Sequence, residues 1–390
     1  MHQPPKILVV DDTPLNVELL EQLLDELGYQ TVTASNGHEA LAQVTAETPD
    51  LMLLDIMMPG MNGFQVLAEL KANPNTRALP VIVISAMHEM ADIVQGIQAG
   101  ADDYLPKPFD PVLLQARLSA SLEKKRLHDL EMAYRRALER ELEIGREIQA
   151  SFLPAHLPQL PGWDLSARFF AQRQVAGDLY DAFALPARAR LCLVIGDVSG
   201  KGVGAALYMT LYRTLVRVML LRYDEAGAVD DAAALVQAMQ FTNAYVAYMH
   251  NASNMFATLF VALLNPADGT LTYVNAGHNP PLVLANGRVR ETLTRTGMVV
   301  GVYPVSFRAA QTQLAQGETL LLYTDGVTEA FNANAEEYGE ARLEATAAQA
   351  EFSPDALLGH LTRDVFQFMG SAEQADDITL LAIQRAHAQE

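Results

Sequence analysis

One cysteine in 390 residues, Cys192, rules out a disulfide framework within a single chain. It sits in the apolar run LCLVIGD, where a buried thiol is inert. Basic residues are also scarce. Against 47 Asp and Glu stand 27 Lys and Arg, a formal net charge of −20, which excludes a nonspecific grip on nucleic-acid phosphates. No apolar run approaches the roughly 20 residues of a membrane span, and MHQPPKILVVDD lacks the apolar core of a signal peptide. No membrane or nucleic-acid partner is expected, and the cytoplasm is the expected compartment. Equally missing are a Ser-His-Asp order, a Gly-x-Ser-x-Gly elbow, a cysteine-based loop and a P-loop. The stretch GDVSGKGVGA is glycine-rich, but Lys201 has neither the P-loop spacing nor a following Ser or Thr.

What is present is a globular composition, 50% hydrophobic and 19% charged, in a chain too long for one core. Two domains and a connector are expected: 1–120, 121–153 and 154–390. In the first, short apolar runs (Ile7–Val10, Thr31–Thr33, Leu51–Leu54, Val81–Ile84 and one near Tyr104) alternate with amphipathic stretches such as Leu15–Leu27. That alternation predicts an α/β doubly wound parallel five-stranded sheet, with its site at the carboxyl ends of the strands. Polar residues stand at those ends: Asp11 and Asp12 after the first strand, Asp55 after the third, Ser85 after the fourth and Lys107 after the fifth. Three converging carboxylates call for a hard cation such as Mg²⁺. A hydroxyl and an ammonium opposite them suit the oxygens of a phosphoryl group.

As an ordered set, VVDD, LLDIMMPGMNG, VISA and YLPKPF resemble the receiver domain of bacterial response regulators. The resemblance implies that Asp55 is the phosphoacceptor, served by a sensor histidine kinase. It further implies that Asp11, Asp12, Asp55 and the carbonyl of Met57 hold Mg²⁺. Ser85 and Tyr104 would reorient on phosphorylation, and Lys107 would pair with the phosphoryl group. For Tyr104, simple packing is the competing account.

From Pro111 to Leu153 the chain has no proline after the first residue and a single glycine, Gly145. Apolar residues recur at Leu127, Leu130, Tyr134 and Ala137, slip to Leu138 and Leu142 around Glu141, and resume at Ile144 and Ile148. This is close to the coiled-coil period with one discontinuity, so a long helix is expected, with a parallel homodimer as the simplest cover for its seam.

The third region mixes apolar strand runs (165–171, 179–185, 191–198, 256–264, 271–274, 319–324 and 378–383) with helical blocks near 204–223, 231–250, 339–350 and 354–369. An α+β sandwich flanked by helices is expected. Four acids sit at strand-end turns: Asp178 in VAGDLYD, Asp197 in IGDVSGKG, Asp325 in LYTDGVTEA and Asp376 in QADDITLL. Distant carboxylates without sequence-neighbouring cations suit hard divalent ions, and two such ions can activate water for in-line attack on phosphorus.

With NAGHNPP and the entering segment ELEIGREIQASFLP, these motifs resemble the PPM-type serine/threonine phosphatases of the SpoIIE and RsbU branch. The resemblance implies two Mn²⁺ or Mg²⁺ held by Asp178, Asp197, the carbonyl of Val198, Asp325 and Asp376. Asp181 and Asp377, beside these ligands, would support them. It also implies a phosphorylated anti-sigma-factor antagonist of STAS-like fold as substrate. Two departures stand out: Ala176 replaces a usual glycine, and Ser199 stands where eukaryotic relatives carry a histidine acid. His278 is either a substitute acid or a local hydrogen-bonding residue. The functional expectation is a response regulator whose Asp55 phosphorylation controls a phosphoserine/phosphothreonine phosphatase. The alternative is a phosphorylation-gated adaptor with a silent phosphatase-like domain. Neither a GGDEF-like stretch nor a basic recognition helix is visible, which disfavours a cyclase or a DNA-binding output.

Overall fold

The computed structural model describes residues 4–86, 96–226, 230–250, 255–348 and 353–386. Contacts divide the chain into two units, Met1–Leu138 and Glu139–Glu390.

In the first unit the strands are β1 (Lys6–Val10), β2 (Gln30–Ala34), β3 (Leu51–Asp55), β4 (Val81–Ala86) and β5 (Asp103–Lys107). They pair in parallel in the order β2-β1-β3-β4-β5. Helices α1 (Pro14–Glu26), α2 (Gly37–Glu47) and α3 (Gly63–Ala72) connect them. The helix expected between β4 and β5 falls largely on residues 87–95, outside the described residues. Alternation along β1 shows why its run is apolar throughout. Leu8 and Val10 pack with Val44 and Val66 of α2 and α3, while Ile7 and Val9 pack with Leu20 and Leu24 of α1 and with Leu114 and Leu118. The last two belong to α4 (Pro111–Phe152), a single 42-residue helix. Further along the helix Leu127, Leu130, Tyr134, Leu138, Ile144 and Ile148 are exposed.

The second unit is a sandwich of two antiparallel sheets. One runs β13 (Ala310–Gln313), β10 (Thr270–Ala276), β9 (Ala257–Leu264), β8 (Arg190–Val198), β7 (Leu179–Leu185). The other runs β12 (Arg288–Thr292), β11 (Leu282–Ala285), β14 (Thr319–Tyr323), β15 (Ile378–Arg385), β6 (Trp163–Phe170). Between them lie Leu191, Leu193 and Ile195 of β8 and Phe260 of β9, facing Leu320, Leu322 and Leu381. The alternate residues of β8, Cys192 and Val194, face outward onto α5 (Val203–Ala226) and α6 (Asp231–Met249). The other sheet is covered by α8 (Glu340–Ala347) and α9 (Pro354–Met369), after the one-turn α7 (Asp325–Thr328). Each central strand is therefore buried on both faces. The last two residues of the helix expected over 339–350 lie outside the described residues.

By length and composition α5 is long and apolar enough to cross a membrane. The core accounts for its apolarity: Met209, Tyr212, Val216 and Leu220 are buried against the sheet, and Arg213 and Arg217 on the same helix pair with Asp181.

Phe260 is fully buried between the sheets and stacks on Tyr273 at 5.3 Å between ring centroids. Phe260→Ala should therefore cost the second unit about 3–5 kcal/mol, read as an earlier urea midpoint for that unit with the first unit's transition unmoved.

Candidate functional site

In the first unit the parallel strands deliver three acids to one place. Ligand oxygens of Asp11, Asp12 and Asp55 lie within 4.8 Å of one another. Lys107, at the end of β5, reaches Asp11 Oδ2 at 2.9 Å and Asp55 Oδ2 at 3.1 Å; the bond to Pro108 is cis. Asn16 donates to both oxygens of buried Asp11 at 3.0 and 3.1 Å, and the Thr13 N–H adds a third bond at 2.9 Å. Burial raises the Asp55 pKa; the Lys107 charge opposes this and the Asp11 charge adds to it. For Lys107, burial disfavours the ammonium, yet Asp11 and Asp55 outweigh it and raise its pKa. Ser85 is buried one residue beyond Ile84, the β4 partner of Asp55. Tyr104 is half-buried, with the Arg117 guanidinium 5.4 Å from its ring. Met57 is exposed and its backbone N–H donates to Asp55. A Cβ on Gly63 would fall 2.4 Å from the Asp55 carbonyl, which is why MNG must close on glycine.

In the second unit the four acidic turns converge. Asp178 precedes β7, Asp197 lies near the end of β8, Asp325 opens α7 and Asp376 precedes β15. The first two motifs interlock: the Val198 N–H donates to Gly177 O at 3.4 Å, and a Cβ on Gly177 would sit 3.0 Å from Val198 O and 3.5 Å from Asp197 Oδ1. Similarly, a Cβ on Gly326 would meet Asp377 O at 2.0 Å, so the Asp-Gly turn admits no other residue. Asp178 is fully buried, and its Oδ2 accepts hydroxyl bonds from Thr324 at 2.7 Å and Thr379 at 2.5 Å.

The electrostatics follow from crowding. Burial, then the charges of Asp197 and Asp377, push the Asp178 carboxyl well above its usual range. Asp197 is raised to about 7 by burial and by Asp325, Asp376 and Asp377. Asp325 is raised to about 6 by burial, Glu329 and Asp376. These oxygens are spread more widely than the first unit's triad: among the described residues only Asp11, Asp12 and Asp55 form a set of three within 4.8 Å.

Asp377 is buried, and its carboxylate accepts from the backbone N–H groups of Gln172 and Gly177 at 2.7 Å and of Asp178 at 3.5 Å. Asp181 corrects the sequence reading. It lies three strand residues beyond Asp178, about 10 Å along β7 and on the opposite face. There it is fully buried, held by Arg213 and Arg217 at 2.9 and 2.8 Å, and belongs to the helix packing. His278 is fully buried, its Nδ1 2.8 Å from Thr258 Oγ1, and burial lowers its pKa to about 3. It is neutral and no proton donor to solvent. Ser199 is tied to Phe256 through N–H to O at 2.8 Å and through its Oγ, which accepts from the Phe256 N–H at 3.1 Å.

Four residues escaped the sequence reading. Thr324 and Thr379 hold Asp178, and their signal was adjacency to LYTDG and DDIT. Lys201 pairs with Asp376 at 2.9 Å. Gln149, near the end of α4, bonds Ala176.

A family model described as Stage II sporulation protein E (SpoIIE) matches residues 187–386, and one described as Response regulator receiver domain matches 7–119. Protein IcfG of Synechocystis sp. is 37% identical over 263 residues, covering 63% of this chain and 41% of that protein. The crystal structure of the RsbU and RsbW domains of a Mycobacterium tuberculosis protein is similar with a TM-score of 0.50 and 29% identity, over 61% of this chain and 64% of that one. The SiaA-PP2C domain of Pseudomonas aeruginosa matches at TM-score 0.54 and 21% identity, over 65% of this chain and 98% of that one, a likeness of fold.

Raised carboxyl pKa values have a definite consequence for stability. The folded-state values of Asp197 and Asp325, about 7 and about 6, lie above the ordinary 3.8, so their protonated forms favour the fold. That contribution is complete below about pH 4 and is lost as pH rises through about 6–7. The metal-free second unit should therefore melt lower at about pH 8 than at about pH 5, and Asp197→Asn should flatten the difference. Calorimetry showing the same pH slope in wild type and variant would contradict the assignment.

Proposed function

Because the chain belongs to the Stage II sporulation protein E (SpoIIE) family and carries a response regulator receiver domain ahead of the matched region, we propose that it is a two-component response regulator whose output is a metal-dependent phosphoserine/phosphothreonine protein phosphatase. The observation that carries the reading is the convergence of Asp178, Asp197, Asp325 and Asp376, with Asp197 and Asp325 displaced to about 7 and about 6 by burial and like charge. A carboxylate set that repels itself this strongly suits divalent cations.

The donor set supports the same conclusion. It offers oxygen alone, and Asp178 uses Oδ2 for Thr324 and Thr379, leaving Oδ1 for an ion. At Asp376 the site already takes a cation, the ammonium of Lys201. Asp178, Asp197, the Val198 carbonyl, Asp325 and Asp376 would hold two Mn²⁺ or Mg²⁺, and such ions supply the positive charge that polarises a phosphoester and activates water. The chain's own part is positional. Thr324, Thr379 and Asp377 fix the Asp178 turn, while Gly177 and Gly326 let neighbouring backbone come close.

In the receiver, Asp11, Asp12, Asp55 and the Met57 carbonyl would hold Mg²⁺, and Asp55 would take a phosphoryl group from a sensor histidine kinase. Lys107, already 3.1 Å from Asp55 Oδ2, would pair with that group, while Ser85 and Tyr104 reorient. The domains we assign are 1–120, a helical linker 121–153 and 154–390, acting in the cytoplasm. The exposed stripe Leu127, Leu130, Tyr134, Leu138 supports a homodimer through the linker. A phosphorylated anti-sigma-factor antagonist of STAS-like fold is the substrate we propose.

With Mn²⁺ and a phosphoserine protein, Asp325→Ala should lower kcat/KM at least about a hundredfold, near 2.7 kcal/mol of transition-state stabilisation. Equal rates in the two proteins would end the metal mechanism. Acetyl phosphate should change the wild-type rate and leave Asp55→Asn unaffected; a response retained by that variant would place control elsewhere.

A further inference from the structure

The end of α4 has two faces. Ile144 and Ile148 are exposed, whereas Leu142, Gly145 and Gln149, spaced three and four apart, turn towards the second unit to which this part of the helix belongs. A Cβ on Gly145 would stand 3.7 Å from Val175 Cγ1, so the helix surface lies directly on that residue. One turn on, Gln149 is buried and its carboxamide closes a two-bond ring with Ala176. Nε2 donates to Ala176 O at 2.7 Å, and Oε1 accepts from the Ala176 N–H at 2.9 Å.

Residues 171–178 form no strand or helix, yet Val175, Ala176 and Asp178 are buried. Backbone groups there must find partners outside a ladder. Asp377 serves the N–H groups of Gln172, Gly177 and Asp178, and Gln149 serves both groups of Ala176. The segment is thus strung between an acid beside the candidate metal ligands and the last turns of the long helix. Asp178 is two residues from the clasp. Only a carboxamide of this length offers a donor and an acceptor at that reach: Glu lacks the donor, Lys the acceptor, and Asn is a methylene shorter. A one-residue shift in helix register rotates the side chain by about 100°, which would break both bonds at once.

We propose that Gln149 is the positioning residue through which α4 sets the Asp178 turn, so that the helix's placement decides whether Asp178 faces Asp197 in a form that takes up a divalent ion. The proposal rests on the phosphatase reading and adds to it the physical point at which the linker acts on the site. The clasp is either made or broken, which gives the helix two discrete arrangements to select between.

The test uses the full chain with Gln149→Ala and Gln149→Glu. Manganese affinity is read by titration calorimetry, and turnover with p-nitrophenyl phosphate as a function of Mn²⁺. Hydrogen exchange is followed over residues 172–178 with and without acetyl phosphate. Both variants should bind Mn²⁺ about tenfold more weakly, regain turnover at excess Mn²⁺ with KM for p-nitrophenyl phosphate little changed, and lose the response to acetyl phosphate. In the wild type, acetyl phosphate should alter exchange at Ala176 and Gly177, a readout that needs no variant to fold. Wild-type metal affinity with an undiminished response in either variant overturns the proposal, as does exchange at Ala176 and Gly177 that ignores acetyl phosphate. If the wild type itself fails to turn over p-nitrophenyl phosphate at saturating Mn²⁺, the phosphatase reading falls and the clasp falls with it. An active wild type with indifferent Gln149 variants defeats the clasp alone.

Discussion

Like charge held together is the constraint on which the second unit is built. Asp178, Asp197, Asp325, Asp376 and Asp377 arrive from well-separated segments, and each of the first three has its pKa raised by burial and by other members of the set. Burying carboxylates side by side opposes folding, so the surrounding chain holds them with fixed donors. Two threonine hydroxyls grip Asp178, three backbone N–H groups grip Asp377, and Lys201 sits on Asp376. The close glycines Gly177 and Gly326 belong to the same arrangement, because no side chain fits between the turns that carry the acids.

Two other acidic groupings show what charge compensation looks like when the chain supplies it. In the receiver, Lys107 lies within 3.1 Å of both Asp11 and Asp55, and one ammonium serves two buried acids. At Asp181, two arginines from α5 neutralise a fully buried carboxylate. Among the described residues, the cation paired with the second unit's acid cluster is the half-exposed Lys201, bound to Asp376. Within the second unit this difference separates Asp181, which packs a helix onto a sheet, from the acids arranged to meet an ion.

Much of this could be read from the sequence because chemistry and position coincide. Parallel strands buried on both faces appear as short apolar runs, and their carboxyl ends carry Asp11, Asp12, Asp55 and Lys107. The sandwich was legible where its strands are long and apolar, as in β8 and β9. It was missed at β11, β12 and β13, which are four or five residues long, the last two of them partly exposed. There the pair Asn286-Gly287, with φ of 51° and 68°, was an available hairpin signal that went unread. Asp181 misled because proximity in sequence says nothing of which strand face a side chain takes. Gln149 and Lys201 were hidden for a related reason: one looks like an ordinary polar helix residue and the other like a failed P-loop, and only folding brings them to Ala176 and Asp376.

The central claim is that the acid cluster is a divalent-ion site, and anomalous diffraction from crystals soaked in a manganese salt tests it most directly. The account predicts peaks bounded by Asp178, Asp197, the Val198 carbonyl, Asp325 and Asp376, with the Lys201 ammonium displaced from Asp376. A map with no peak there, and Lys201 still paired with Asp376, would contradict it.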